Sequence, residues 1–252
     1  MLSDILPQEA FGFLVVLTRM TALVMIVPAF GDQTVPVRVR VMLALAVSVV
    51  VYLSVRATLP EMPASVLALG WLVITELGFG LIVGGIARFL VTALHVAGAA
   101  ISMLSGLAAA QAFDPAQGTQ GAVIGSFLTV LGITMIFVTE THHLLIEAMV
   151  ASYDLFPTGG GVPVADVAQM ARDYVITSFL LGAKMSAPFI LYSLVFYLGM
   201  GLSARMAPQM QIFFVAIPVN ILLALSLLAV IIATMMQFFI AYMREELQLL
   251  LG

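Results

Sequence analysis

Six charged side chains lie inside long apolar runs of the chain: Arg19, Glu76, Arg88, Glu140, Glu147 and Lys184. An ionisable group in apolar surroundings is energetically costly, so each is a candidate for ion coupling, proton relay or a fixed ion pair. Glu76 and Arg88 stand twelve residues apart. That spacing separates them by about 18 Å along a continuous helix and puts them on different faces. They cannot pair with each other there, so their partners lie elsewhere. A structural contact in an assembly is the simpler reading of both, and proton relay the more demanding one.

Glu140, His143 and Glu147 follow i, i+3, i+7 spacing and would share one helix face. Two carboxylates and an imidazole can hold a metal or pass protons. The pattern is not HExxH, however, and a lone helix face supplies too few oriented ligands for a closed site. His142 points about 100° away from that face. Polar contacts near a helix end are the preferred reading, with no metal and no cofactor expected. No serine–histidine pair has an activating setting, so no catalytic residue is assigned. The chain has no cysteine, which removes thiolate nucleophiles and Cys-based metal sites. A net charge of −4 offers no basic face for nucleic acid.

The elements that hold these charges are set by composition. Hydrophobic residues make up 63% of the chain and charged residues 9%, with a mean hydropathy of +1.18. An average globular chain is about 45–50% apolar and about 25% charged. So few charges cannot cover a water-soluble fold of this length. The fold class is all-α membrane protein, with about six long hydrophobic helices, some broken or extending beyond the bilayer. Acidic Asp4 and Glu9 precede the first apolar run, where a cleavable signal would begin basic, so a retained helix is expected.

A bilayer core of about 30 Å needs about 20 apolar residues. The first candidate spans cover residues 10–30, closed by Pro28 and Gly31-Asp32-Gln33, and 39–55, opened by Pro36, Arg38 and Arg40. Residues 66–107 then run apolar without a proline. As one helix they would extend about 60 Å, so the stretch either leaves the bilayer or breaks at its glycines. A fourth helix is expected over 122–148, then a polar connection over 151–173 containing a short amphipathic helix that leads into the next span. A C-terminal hairpin over 174–242 follows, with spans 174–202 and 212–242 and a charged tail, Arg244-Glu245-Glu246. No internal repeat or soluble domain stands out, and residues 1–252 read as a single membrane domain. Six spans put Arg56, Arg172 and Arg244 on one side and Arg38, Arg40 and Arg205 on the other, so the positive-inside rule selects no topology.

Gly80 and Gly84 have GxxxG spacing, with Gly78 and Gly85 beside them, and Gly121 and Gly125 repeat it. Such spacing lets helix backbones approach closely in apolar surroundings. Residues 106–121 are mostly small and include Phe113-Asp114-Pro115, an aromatic followed by a turn. Irregular backbone at membrane depth is tolerated only where protein buries it or it lines an aqueous cavity. Two readings fit: a loop hanging into a lumen as a stopper, and an ordinary surface connection.

Read in order, several stretches resemble the FliR family of type III export-gate subunits, inner-membrane components of flagellar biosynthesis with counterparts in virulence secretion. The carriers are Arg19 with Val27-Pro28-Ala29-Phe30, and Val35-Pro36-Val37-Arg38 leading into Leu43-Ala44-Leu45-Ala46. Glu76-x-Gly78-x-Gly80-x-x-x-Gly84 follows, then Phe113-Asp114-Pro115 with Gly118, and His142-x-x-Leu145 running on to Ser152 and Pro157. The most specific stretch holds Ala183-Lys184, Ala187-Pro188 and Gly199-Met200-Gly201, then Arg205-Met206-Ala207-Pro208-Gln209-Met210-Gln211-Ile212-Phe213-Phe214 and Ile217-Pro218. The likeness covers nearly the whole chain.

The resemblance implies a non-enzymatic subunit of the bacterial inner membrane at the flagellar basal body. Its fold would resemble a fused FliP-like plus FliQ-like subunit. One such chain would join several FliP-like and FliQ-like subunits in a pore-containing complex, with FlhB-like and FlhA-like components nearby. Unfolded flagellar export substrates would pass through the channel. Residues 106–121 would be the plug, with Phe113 gating and Asp114, Pro115, Gly118 and Gly121 shaping the loop. Arg19, Glu76, Gly80, Gly84, Arg88, Lys184, Pro188, Arg205, Pro208, Gln209, Gln211 and Phe213 would lie at assembly contacts, with Glu76, Arg88 and Lys184 paired across subunits. The Phe-Asp-Pro and Pro-Gln-Met-Gln stretches favour a flagellar over a virulence system.

Two other classes compete. A secondary transporter would use Glu76, Arg88, Glu140 and Lys184 for ion coupling, and the glycine-interrupted third run fits it, but no second matching half is found. An intramembrane metal-dependent hydrolase would need metal at Glu140, His143 and Glu147.

Overall fold

The computed structural model describes residues 2–32, 35–108, 123–161, 163–206 and 212–251. Among them there is no strand. The long helices are α1 (Leu2–Ile26), α2 (Val37–Val55), α3 (Val66–Leu104), α4 (Val123–Val138), α5 (Thr141–Leu155), α6 (Val164–Met206) and α7 (Ile212–Leu251). Five are long and apolar enough to cross a membrane, or six spans if α4 and α5 are taken as one broken span. The membrane class and the all-helical fold follow.

Local chemistry explains where the helices stop. Pro28 closes α1, and Ala29 then takes φ 75°. Asp32 Oδ2 accepts the Ala29 N–H at 3.2 Å, while the Gly31 N–H donates to the Val27 carbonyl at 2.8 Å. A Cβ at Gly31 would strike the Met25 carbonyl, so this turn requires glycine. Pro36 opens α2 with extended backbone (ψ 140°), and its carbonyl accepts the Val39 N–H at 2.9 Å.

Of the two courses open to residues 66–107, the chain takes the first. α3 is one uninterrupted helix of 39 residues. A hydrocarbon core needs only about 20. The single helix expected over 122–148 is corrected: it divides into α4 and α5 at Thr139–Glu140. Glu140 sits at φ 59°, ψ 14°, a left-handed conformation that stops a right-handed helix, and precedes α5 as its N-cap residue. Neither proline nor glycine marks this break. The amphipathic stretch after residue 163 leads into the next span as expected, and does so without a break, as the first turns of α6. By contrast, Arg244–Glu246 lies within α7, not in a tail beyond it.

Contacts divide the chain into two compact units. The first comprises Met1–Leu90, Glu140–Val175 and Arg244–Gly252; the second comprises Val91–Thr139 and Ile176–Met243. In the first, Phe11, Val15 and Leu72 form an apolar cluster, with Leu59 and Leu69 against it. There α3 approaches α1 through its glycines. A Cβ at Gly80 would lie 2.6 Å from the Arg19 carbonyl oxygen and 2.7 Å from Ala22 Cβ, and one at Gly84 would lie 3.2 Å from Ile26 Cβ.

The second unit repeats the device. Gly98 of α3 meets Gly125 of α4 backbone to backbone, and Gly182 of α6 leaves room for Val96 and the Ala93 carbonyl. Leu94, Leu128, Ile136, Phe189 and Phe239 fill its core.

Gly80→Val should therefore lower the thermal unfolding midpoint in detergent, through overpacking worth about 1–3 kcal/mol. Gly78→Ala, where nothing lies within 4 Å, should leave the midpoint unchanged or raised. A Gly80→Val protein as stable as the parent would contradict the close approach of α1 and α3.

Candidate functional site

The most concentrated polar chemistry of the first unit is around Arg19. Its side chain is wholly buried, as is that of Glu76. Arg19 Nε donates to Glu76 Oε2 at 2.7 Å and Nη2 donates to Oε1 at 3.0 Å. This is the side-on, bidentate form of an arginine–carboxylate pair, the strongest and most directional kind.

The remaining guanidinium donors turn to a third element. Nη1 reaches the Ser152 carbonyl at 2.9 Å and the Ser152 hydroxyl at 3.5 Å, and Nη2 also reaches the Phe156 carbonyl at 2.9 Å. A guanidinium has five N–H donors in a fixed fork. Here those donors have acceptors on α3 and at the end of α5. The Tyr153 ring lies 4.0 Å from the guanidinium carbon and the Phe79 ring 5.1 Å, adding cation–π attraction on its faces. Phe79 in turn stacks on Phe156 with centroids 4.9 Å apart.

Ser152 and Phe156 are where α5 ends. The Phe156 N–H closes back onto the Ser152 carbonyl at 3.0 Å. A helix C-terminus carries partial negative charge and unpaired carbonyls, which a cation satisfies. The last turn of α5 contains no basic residue of its own. Arg19 of α1 supplies that cation. The cluster is thus a clamp joining α1, α3 and the C-terminal end of α5.

A second pair closes the far end of α1. Arg88 Nη1 lies 2.7 Å from Asp32 Oδ1, with half of the arginine side chain exposed. Asp32 uses its other oxygen to hold the turn at Ala29. In the same unit, Arg244 Nε donates to the Thr141 hydroxyl at 3.1 Å.

The second unit has its own buried polar centre. Asn220 of α7 accepts the Tyr192 hydroxyl at 2.7 Å and donates to the Leu104 carbonyl, the last residue of α3, at 3.3 Å. Gly106, two residues on, has φ 75° and faces the Asn220 amide.

The residues singled out by sequence fall into three groups. Arg19, Glu76, Gly80 and Gly84 come together at the α1–α3 contact, within one chain. The pairing across subunits implied for Glu76 and Arg88 meets a different arrangement, because Arg19 and Asp32 of the same chain bind them. Lys184 and Pro188 are exposed on α6, Arg205 is exposed in its last turn, and Phe213 lies in the first turn of α7. Phe113, Asp114, Pro115, Gly118, Gly121, Pro208, Gln209 and Gln211 lie outside the described residues.

The break at Glu140 corrects the shared face drawn for Glu140, His143 and Glu147, since Glu140 is not in the helix that carries the other two. Among the described residues no group of three or more His, Asp or Glu side chains is placed to hold a metal. Asp32, Asn220 and Tyr192 were not anticipated. Asn220 had a signal, a lone amide in an apolar run. The Ser152 and Phe156 carbonyls had none, because backbone acceptors at a helix end carry no side-chain signature.

Comparison with known proteins gives one family. The model of bacterial export proteins, family 1, matches residues 10–245. The flagellar biosynthetic protein FliR of Caulobacter vibrioides is 42% identical over 85% of this chain and 85% of its own length. FliR of Escherichia coli is 28% identical over 84% of this chain and 81% of its own. The Yop proteins translocation protein T of Yersinia pestis is 26% identical over 94% of this chain and 91% of its own.

Truncating one partner of the clamp strands a buried charge. Arg19→Met or Glu76→Met should each destabilise the chain by about 3–5 kcal/mol, and the double variant should recover much of that loss. A double-mutant cycle on thermal unfolding checks it. Additive losses would contradict a coupled pair.

Proposed function

The chain belongs to family 1 of the bacterial export proteins, and from that membership we propose that it is a core subunit of a flagellar type III protein export gate. In this reading it assembles with FliP-like and FliQ-like subunits into the channel by which unfolded flagellar subunits cross the inner membrane at the basal body. FlhB-like and FlhA-like components adjoin it. Residues 1–252 act as one membrane domain, with 106–121 as the plug and Phe113 as the side chain that seals. The observation that carries the reading is the extended likeness to flagellar FliR, at 42% identity over 85% of both chains.

Physical features agree with it. α3, α6 and α7 have 39, 43 and 40 residues, each about twice the hydrocarbon requirement. Helices of that length are readily accommodated if neighbouring subunits cover the excess. Many large apolar side chains are exposed along them, among them Trp71, Leu191, Val195 and Val230. The Arg19–Glu76 pair, sealed from solvent and fully hydrogen-bonded, is suited to fixing geometry and ill suited to exchanging ions. Of the four residues the transporter reading would use, this argues against an ion-coupling role for Glu76.

A channel for unfolded chains must open widely yet hold back ions at rest. An aromatic among small residues can move aside and reseal by apolar contact.

Purification of the tagged chain from native membranes in mild detergent should bring FliP-like and FliQ-like small membrane proteins with it, identified by mass spectrometry. A chain that emerges alone, folded, would contradict the reading. In the reconstituted complex, Phe113→Ala should raise small-ion conductance while subunit composition stays the same. Unchanged conductance would remove Phe113 from the seal.

A further inference from the structure

A helix leaves its last four carbonyls without helical donors, and in apolar surroundings each must find another. In α3 these carbonyls belong to Ile101, Ser102, Met103 and Leu104. The residues that follow serve three of them. The Ser105 N–H donates to Ile101 at 2.9 Å, the Ser105 hydroxyl to Ser102 at 3.1 Å, and the Gly106 N–H to Met103 at 3.2 Å. The fourth, on Leu104, is served by the Asn220 amide, 116 residues along the chain, at 3.3 Å.

Chemistry fixes which way that amide faces. A carbonyl only accepts, so Asn220 turns Nδ2 toward Leu104 and leaves Oδ1 on its other side. Oδ1 there receives the Tyr192 hydroxyl at 2.7 Å. Asn220, Ser102 and Ser105 are all buried. Without the amide, the Leu104 carbonyl would be stranded in an apolar interior. Gly106 completes the arrangement. Its φ of 75° is a left-handed conformation that favours glycine, and a Cβ there would lie 3.3 Å from Asn220 Nδ2. The backbone thus leaves α3 at a defined point, and the hold on the last carbonyl comes from α6 and α7 through Tyr192 and Asn220.

We infer that Asn220, oriented by Tyr192, is a positioning residue for residues 106–121: it holds the end of α3 from which that segment departs, and so sets what Phe113 can reach. The inference rests on the proposed role of that segment as the plug. Phe113 is seven residues beyond Gly106. Unwinding the last turn of α3 would displace the point of departure by about 5 Å. An apolar seal works through contacts of about 4 Å, so a shift of that size is enough to break one. A hydrogen bond that only glued helices together would affect stability alone, and leakage separates the two roles.

The test measures small-ion conductance of the reconstituted complex, with Phe113→Ala run in parallel. Asn220→Leu keeps the size of the side chain and removes both hydrogen bonds. It should raise conductance by about fivefold or more while subunit composition stays that of the parent. Tyr192→Phe leaves the amide in place without its orienting hydroxyl and should raise conductance by about twofold or more. Leu128→Ala, in the apolar core of the same unit, should lower the thermal midpoint without raising conductance. Should Asn220→Leu fail to assemble, Tyr192→Phe decides alone, and parental conductance in that variant would overturn the inference. A leak in Leu128→Ala as large as in Asn220→Leu would also overturn it, because the leak would then follow lost stability. If Phe113→Ala leaks while Asn220→Leu and Tyr192→Phe do not, the positioning role alone fails. If none of the three leaks, the plug reading fails, and the inference with it.

Discussion

The guanidinium of Arg19 is the constraint around which the first unit is organised. A charge with no exposure to solvent is tolerated only where its donors are met and an opposite charge is near. Arg19 meets both demands with acceptors from two other elements, Glu76 on α3 and the carbonyls of Ser152 and Phe156 at the end of α5. Moving any of these helices would strand a donor or a carbonyl in an apolar interior. Apolar packing between helices is permissive in register, since one leucine contact resembles another. A forked, five-donor contact is not.

The glycines make that contact reachable. The Arg19 carbonyl and Ala22 Cβ occupy the space that a side chain at Gly80 would fill. Close backbone approach and the buried ion pair are therefore one device, with Glu76 and Gly80 four residues apart on the same side of α3. In the second unit, Gly98 against Gly125 provides the approach and Asn220 the polar fixation. Without a hydrophobic driving force between helices in lipid, such small-residue contacts and internal hydrogen bonds must supply specificity.

Much of this was legible in the chain. Apolar runs of the required length marked the helices, and the cost of charge in those runs marked Arg19, Glu76 and Arg88 before any partner was known. The GxxxG spacing at Gly80 marked the close contact. The partners were harder to read, because pairing between residues 57 positions apart depends on tertiary packing that local periodicity does not encode. The break at Glu140 was hidden for a different reason. A glutamate in left-handed backbone is held there by its surroundings, and no glycine or proline announces it. The shared face of Glu140, His143 and Glu147 failed with it. The segments holding Phe113 and Gln209 owe their assignment to family resemblance, not to local physics.

These features describe a membrane subunit whose internal charges fix architecture and whose proposed work is to help form a passage. The account holds that Arg19 and Glu76 matter through geometry, not by carrying protons or ions. The direct measurement is export of a flagellar substrate into the medium, in cells whose own copy is replaced by Arg19→Met/Glu76→Met, scored only where the variant folds and joins its complex. The account predicts that such assembled complexes export at near the parental rate. Fully assembled complexes that export nothing would contradict it and return the pair to an ion-coupling role.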